Sequence, residues 1–160
     1  MRIDAYFDKV SYKQYAEYGD LTTFNDIPLP RRATKCSAGY DFFAPYDITF
    51  EAGQTVTIAT GIRAVMPEDV FLMIVPRSGL GFRYKLRLNN TVGIIDADYA
   101  DSPNEGHIFV RMTNESDKTL EIKKGEAYAQ GIFVKYCITS DDNTTDERQG
   151  GLGSTDKKSD

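Results

Sequence analysis

The chain has 160 residues, 41% of them hydrophobic, and a formal net charge of −5 at pH 7. This length fits one domain with a single core, and the apolar fraction, which includes ten Tyr and nine Phe, argues against global disorder. The acidic balance argues against direct binding of a nucleic-acid polymer, because polyphosphate backbones attract surfaces rich in Lys and Arg. A small anionic ligand still fits, since it needs only a local group of cations, backbone N–H groups or a metal ion.

The two cysteines, Cys36 and Cys137, form neither a disulfide framework nor a metal-ligand pair, so we expect reduced thiols in or near the core. No run approaches the ~20 apolar residues that span a bilayer. The N-terminus also lacks the apolar region of a signal peptide. We therefore expect a cytoplasmic chain that does not bind membranes.

Short apolar runs alternate with turn residues along the chain, a spacing typical of an all-β sandwich or barrel. The predicted strands are residues 3–7, 40–44, 55–60, 70–75, 91–95, 107–113 and 127–136. Residues 70–75 are apolar at every position, so this strand should mark the core and have both faces covered. One short helix is predicted at 11–18, where tyrosines recur at i, i+3 and i+6 and Ser11 can act as the N-cap.

The composition changes at about Thr139, after which the chain is polar and has almost nothing to bury. We predict one β domain over residues 1–138 and a C-terminal arm over 139–160 that is mobile when no ligand is bound. Composition alone favours a solvated tail without further function.

Several chemistries lack the residues that they need. His107 is the only histidine, and with no supporting arrangement in sequence it fits a structural or exposed role better than a catalytic one. A zinc site would have to combine this histidine with two distant cysteines and carboxylates. The glycine-rich segment 150–155 has no Lys before its hydroxyl residues, as a P-loop requires. The plentiful Asp, Glu, Ser, Thr and Arg suit an oxygen-liganded hard cation and a phosphate substrate.

Two segments point to a site. Residues 76–81, Pro-Arg-Ser-Gly-Leu-Gly, place an arginine beside a hydroxyl and a glycine turn, which suits an anion, although an ordinary strand-ending turn fits equally well. Residues 93–99, Gly-Ile-Ile-Asp-Ala-Asp-Tyr, can bring Asp96 and Tyr99 into one pocket. An ionised aspartate can orient and deprotonate a water. Taken alone, this segment fits an Asp-rich turn better.

Five segments in order resemble the motifs of the trimeric dUTPase family. They are Ala-Gly-Tyr-Asp at 38–41, Pro-Arg-Ser-Gly-Leu at 76–80, Gly-Ile-Ile-Asp-Ala-Asp-Tyr at 93–99, Gly-Glu-Ala-Tyr-Ala-Gln at 125–130 and Arg-Gln-Gly-Gly-Leu-Gly-Ser-Thr at 148–155. The resemblance implies a jelly-roll-like homotrimer with its active sites at subunit interfaces. It also implies Mg²⁺-dependent hydrolysis of dUTP to dUMP and pyrophosphate, which limits uracil incorporation into DNA and supplies dUMP for dTMP synthesis.

The resemblance also implies roles for individual residues. Asp96 is the base that aligns the attacking water, Asp41 binds the metal through water, and Gln130 acts near the triphosphate. The phosphate-binding residues would be Arg77, Ser78 and Gly79, joined by Arg148, Gly153, Ser154 and Thr155 when the arm closes over the nucleotide. The residues that contact uracil and deoxyribose would be Asn90, Gly93, Ile95, Tyr99 and Leu152, with Tyr99 stacking under the sugar and excluding a 2′-hydroxyl.

Four features depart from the family pattern. Leu152 stands where most members have a uracil-stacking phenylalanine, and Ala127 replaces a frequent arginine. The loop 100–106 is longer and more acidic than the usual turn, and residues 11–32 form an N-terminal elaboration. Either of these two segments could bind a protein partner, so a nucleotide-gated interaction protein remains an alternative, as do a related dCTP deaminase and a structural β protein of capsid type.

Overall fold

The computed structural model describes residues 2–148 and 150, and within them β-structure predominates. The strands are β1 (Tyr6–Lys9), β2 (Arg31–Arg32), β3 (Tyr40–Phe43), β4 (Ile48–Phe50), β5 (Thr55–Ala59), β6 (Ile62–Val65), β7 (Val70–Pro76), β8 (Leu86–Leu88), β9 (Gly93–Ile95), β10 (Phe109–Asn114), β11 (Leu120–Ile122) and β12 (Ala127–Lys135). The helices are α1 (Tyr12–Ala16), α2 (Ser78–Tyr84) and two 3₁₀ helices, Leu21–Asp26 and Ala97–Asp101. The predicted all-β class is confirmed.

The largest sheet orders its five strands β2-β3-β12-β7-β9, and all of its pairings are antiparallel. One smaller sheet has the order β5-β10-β8, and two others pair β1 with β6 and β4 with β11. Their apolar faces meet in one core cluster, whose most enclosed large side chains include Phe42, Phe50, Ile58, Leu72 and Met112. The five-stranded sheet is the element that positions the residues of the candidate site.

The predicted strand at residues 70–75 is the central strand β7, but only one of its faces is fully covered. Val70, Leu72 and Ile74 are buried in the core, whereas the alternate side chains are half-buried. The expectation of two covered faces was therefore wrong for the single chain, because no second layer formed by the described residues packs over the other face. A run of six apolar residues cannot distinguish these two cases.

The predicted helix is confirmed as α1, with Ser11 as its N-cap: the Ser11 hydroxyl accepts a hydrogen bond from the Gln14 amide at 3.1 Å. Cys36 and Cys137 are free thiols, as expected, but their predicted location in or near the core was wrong, since both are exposed. Both lie beside polar connections rather than within a strand, so no apolar layer is available to cover them. No helix in the described part of the chain is long and apolar enough to cross a bilayer.

Candidate active site

A cavity of about 240 Å³ lies where β7 ends and α2 begins. We call it the arginine pocket, and its lining residues are Arg77, Ser78, Gly79, Leu80, Arg83 and Ala127. Ser78 and Gly79 occupy the first turn of α2, where backbone N–H groups have no carbonyl partner within the helix. A Cβ added at Gly79 would meet no atom within 4 Å, so the backbone here is open to a ligand. Two guanidinium groups and free amides make the pocket suitable for an anion.

Strand pairing brings two further predicted residues beside Arg77. Gln130 on β12 lies directly opposite Asp41 on β3 and Val75 on β7. The register of β12 against β3 shifts between Ala127 and Ala129, and this shift places Gln130 opposite Asp41. A β-bulge changes side-chain direction in the same way. Arg77 Nε then lies 3.4 Å from Asp41 Oδ1 across β12. The sheet therefore places a carboxylate, an amide and a guanidinium on one surface.

Gly39 makes room for the Gln130 side chain. A Cβ at position 39 would lie 2.2 Å from Gln130 Oε1, which is far inside contact distance. Gln130 Nε2 is 3.3 Å from the Pro76 carbonyl, so the amide spans from β12 towards the start of the arginine pocket. A larger residue than glycine at position 39 would displace this amide.

The second group of predicted residues, which we call the Asp96 end, comprises Asp96, Asp98, Tyr99 and Arg148. Arg148 Nη2 donates to Asp96 Oδ2 at 2.7 Å, and its Nε donates to Asp98 Oδ1 at 2.8 Å. The guanidinium also lies over the Tyr99 ring, 5.6 Å from its centroid. The bond to Asp98 raises the pKa of Arg148 above its ordinary value. The arm of this chain thus reaches the proposed base of the same chain.

Tyr99 forms the floor of the Asp96 end. It is only 5% exposed, and burial raises the pKa of its phenol. The hydroxyl donates to the His107 carbonyl at 2.8 Å and accepts from Asn104 Nδ2 at 2.8 Å. His107 is itself fully buried, and its Nε2 accepts a hydrogen bond from the Gly61 amide at 3.0 Å. The histidine therefore supports the structure, as its isolation in the sequence suggested.

The three residues predicted to contact uracil lie in and after the turn between β8 and β9. Asn90 is exposed in that turn, and its carbonyl accepts from the Val92 amide at 2.6 Å. Gly93 and Ile95 belong to β9, which pairs with β7. A Cβ at Gly93 would lie 3.0 Å from the Ile74 Cβ, so glycine allows the close approach of these strands. The turn joins strands of two different sheets, which leaves its outer edge open.

The arginine pocket and the Asp96 end lie at opposite ends of β7. Leu72 of β7 pairs with Ile95 of β9, so the next residue, Asp96, lies opposite Phe71. Phe71 is six residues before Arg77 in the chain. Six residues of extended chain span ~20 Å at about 3.3 Å per residue. The single chain therefore does not bring the proposed base to the pocket that contains Arg77 and Ser78.

Four predicted arm residues, Leu152, Gly153, Ser154 and Thr155, lie outside the described residues. Conversely, Arg83 lines the arginine pocket and was not predicted from the sequence. Helical spacing from Gly79 to Arg83 could have indicated it, but two glycines in α2 weaken any helix prediction there. Asn104 was also not predicted, because no periodic pattern in a loop indicates which side chain contacts Tyr99.

The dUTPase family model matches residues 25–156. The deoxyuridine 5′-triphosphate nucleotidohydrolase of Lactococcus lactis subsp. lactis is 40% identical over 132 residues, which cover 81% of this chain and 88% of that protein. The Haemophilus ducreyi protein of the same name is 40% identical over 141 residues, covering 83% and 90%. The crystal structure of dUTPase from Streptococcus mutans has a TM-score of 0.68 at 34% identity, covering 84% of this chain and 98% of that chain. These similarities confirm the predicted jelly-roll-like fold.

Proposed function

The chain belongs to the dUTPase family, and from this premise we propose that it hydrolyses dUTP to dUMP and pyrophosphate. The motif resemblance is confirmed by these relatives over most of the chain. The observation that carries the proposal is the division of the site. One end of β7 has the cations for a triphosphate, and the other has a carboxylate above a buried tyrosine.

We assign the complete site to the interface between chains of a homotrimer. About 20 Å separates Asp96 from Arg77 along β7, too far for a carboxylate to direct water at a phosphate held in the pocket of the same chain. A neighbouring copy can supply the missing half, since cyclic contacts join one surface of a protomer to a different surface of the next. The half-covered outer face of β7 is consistent with such packing.

In the proposed reaction, water attacks the α-phosphorus of dUTP and pyrophosphate leaves. Asp96 accepts a proton from the water, which an ionised carboxylate can do once it is held near the reacting atoms. Arg77, Ser78 and Gly79 bind phosphate oxygens through guanidinium, hydroxyl and backbone N–H donors. No covalent intermediate is needed, so most of the rate comes from positioning and charge stabilisation.

Arg148 binds the outer phosphates when the arm closes. Its guanidinium must then exchange Asp96 and Asp98 for phosphate oxygens. The two carboxylates are 55% and 57% exposed, and ion pairs to exposed carboxylates stabilise only weakly. The exchange therefore costs little, and it frees Asp96 for the attacking water. Gly153, Ser154 and Thr155 are assigned to the same phosphates, and Leu152 to the uracil.

Magnesium fits beside the arginine pocket, next to Asp41, as an ion that would be held mainly by the nucleotide. No cluster of three or more His, Cys, Asp or Glu side chains occurs among the described residues, and Mg²⁺ commonly keeps several waters and binds substrate phosphates with one or two carboxylates. Asp41 is the carboxylate next to Arg77 and would accept hydrogen bonds from metal-bound water. A bound Mg²⁺ ion would neutralise part of the negative charge of the phosphates.

The base and sugar are assigned to the opposite end of β7. Asn90 and the backbone at Gly93 and Ile95 offer amide donors and acceptors at the open edge of the turn, the groups needed to bind uracil. Tyr99 presents a rigid ring face beneath Arg148, and we assign this face to the deoxyribose. A ring packed against C2′ leaves no space for a ribonucleotide hydroxyl.

The test is pyrophosphate release from dUTP, dCTP, dTTP and UTP, with and without Mg²⁺, by the native chain and Asp96→Asn. We expect that, of the four nucleotides, only dUTP is hydrolysed efficiently. This hydrolysis should be lost when Mg²⁺ is left out. Asp96→Asn should bind dUTP but hydrolyse it poorly, whereas full activity of this variant would remove the assignment of the base. Ammonia release from dCTP would instead indicate a deaminase, and absence of all turnover would indicate a binding or structural protein.

A further inference from the structure

The loop at residues 100–106 surrounds Tyr99 with hydrogen bonds. Asn104 Nδ2 donates to the Tyr99 hydroxyl at 2.8 Å, and this hydroxyl donates to the His107 carbonyl at 2.8 Å. The Ser102 hydroxyl lies 2.6 Å from the Tyr99 carbonyl and 2.6 Å from Asn104 Oδ1. One loop therefore holds both the ring and the backbone of Tyr99.

The shape of the loop is fixed at its C-terminal end. Gly106 has φ +71°, and a Cβ there would lie 2.8 Å from the Ala100 Cα, so only glycine fits. The Glu105 carboxylate accepts hydrogen bonds from the Ser11 amide at 2.6 Å and from the Ser11 hydroxyl at 2.7 Å. The same hydroxyl caps α1 by accepting from Gln14. The N-terminal segment and the loop are thus joined to each other.

Aromatic packing supports this connection from below. Tyr15 of α1 is fully buried, and its ring lies 6.1 Å from that of His107. The ring of Tyr18 lies 6.0 Å from His107 and 4.9 Å from Phe109. The helix, the histidine and the loop therefore form a continuous packed support that reaches the Tyr99 hydroxyl. Such a support restricts the position of the ring, because polar networks whose groups are hydrogen-bonded rigidify the side chains that they join.

We propose that Asn104, anchored through Glu105 to Ser11, is a positioning residue that fixes the Tyr99 ring for discrimination against ribonucleotides. The inference rests on the proposed function, in which this ring packs against the deoxyribose. Exclusion of a 2′-hydroxyl depends on a ring that cannot retreat, since a small outward movement makes room for one oxygen atom. The additional length of the loop and the N-terminal segment then serve substrate selection.

The experiment compares kcat/KM for dUTP and UTP in Asn104→Ala and in Asp101→Asn. Asp101 is an exposed carboxylate of the same loop, so its variant is the matched control. Both substrates are measured on one preparation, which makes the ratio of the two values independent of the fraction of folded enzyme. We expect the dUTP-to-UTP ratio to fall about tenfold in Asn104→Ala, the size of effect that one small group in a pocket produces. It should be unchanged in Asp101→Asn.

A double-mutant cycle shows whether Asn104 acts through the Tyr99 hydroxyl. In a Tyr99→Phe background the hydrogen bond from Asn104 has no acceptor, so adding Asn104→Ala should not lower the ratio further. An equal further fall in that background would overturn the proposal, because Asn104 would then act by another route.

The remaining outcomes separate the proposal from its premise. If the native chain prefers dUTP and Asn104→Ala keeps the same ratio, the positioning role is wrong while the proposed function stands. If the native chain does not hydrolyse dUTP, or does not prefer it over UTP, the proposed function or the role of Tyr99 fails, and the role of Asn104 fails with it.

Discussion

The arginine pocket and the Asp96 end are built by different means. The pocket residues lie on paired strands of the largest sheet and on the helix that follows β7, so the backbone hydrogen bonds of the sheet fix their spacing. At the other end, Asp96 follows a strand of three residues and contacts Arg148, which is 52 positions away in sequence. The first region is preformed, whereas the second depends on the arm and on the loop 100–106.

This difference shows how one strand can serve two half-sites. Asp96, which lies opposite Phe71, and Arg77, which follows β7, are ~20 Å apart along this strand, so the two side chains cannot meet within one chain. Under the proposed function, hydrolysis therefore requires assembly of at least two chains.

The largest effect should come from removing one essential group at each end. We expect Asp96→Asn to lower kcat for dUTP by about 10³-fold, because general-base catalysis contributes on this scale. Arg77→Ala should lower kcat/KM by about 10²-fold or more through lost phosphate binding and charge stabilisation. Steady-state kinetics determine both values, kcat from the rate at saturating dUTP and kcat/KM from the rate at dUTP concentrations below KM.

Mixing these two inactive variants decides whether the site is shared. If one subunit supplies Arg77 and its neighbour supplies Asp96, random reassembly of equal amounts restores about one quarter of the sites. Co-refolded mixtures should then regain activity, while each variant refolded alone does not. No recovery in a mixture shown to contain both variants in one oligomer would place both groups in the same chain.

Arg148→Ala should have the next largest effect, a loss of about 10²-fold in kcat. Removing one hydrogen-bond donor to the charge that develops in the transition state lowers kcat by about this factor. A truncation after Thr145 removes the same guanidinium with the rest of the arm and should lose at least as much. Phosphate contacts made in the transition state lower kcat more than they raise KM. A truncated chain with full kcat would show that the arm has no part in the reaction.

The arginine pocket, most of whose residues lie in sequence motifs, could be predicted from the sequence better than the Asp96 end, whose contacts join residues distant in the chain. Strands such as β7 and β12 are long and apolar, and they were predicted to within about two residues. Five others, β2, β4, β6, β8 and β11, were missed because two to four residues provide too short a pattern. The motif resemblance named Arg77 and Asp96, but no local pattern shows that they lie at opposite ends of one strand.

A smaller effect is expected on stability through His107, which supports the Asp96 end. Burial lowers the pKa of His107 from 6.5 to about 4, and its unprotonated Nε2 accepts from the Gly61 amide. The unfolded chain therefore binds a proton at higher pH than the folded chain does. The contribution of His107 to the free energy of unfolding is fully present above pH 6.5 and is lost as the pH falls from 6.5 to 4. At pH 5 the loss is about 2 kcal/mol.

Urea unfolding at fixed protein concentration, at pH 8 and pH 5, measures this loss. His107→Gln keeps an acceptor for the Gly61 amide but does not titrate, so the difference between the two pH values should shrink by about 2 kcal/mol. His107 is the only histidine in the sequence, which leaves no other imidazole to titrate in this range. An unchanged pH dependence in His107→Gln would mean that the histidine is protonated equally in both states.

The smallest effect concerns Arg83, the cation of the arginine pocket that no motif indicated. No carboxylate pairs with it in the described part of the chain, whereas Arg77 is paired with Asp41. Arg83→Ala should raise KM for dUTP about tenfold with little change in kcat, as expected for a contact made equally in the ground and transition states. Steady-state kinetics at low ionic strength show the effect best, because salt screens exposed charges.

Two variants sharpen this last test. Arg87→Ala removes a neighbouring exposed arginine that pairs with Glu115 outside the pocket, so its KM should not change. Ala127 also lines the pocket, and Ala127→Arg would return a guanidinium to the same cavity. If the pocket needs a second positive charge rather than a particular side chain, Ala127→Arg should restore a low KM in the Arg83→Ala background. Failure of this rescue in a folded double variant would show that Arg83 acts by its position, and an unchanged KM in Arg83→Ala alone would remove it from the substrate site.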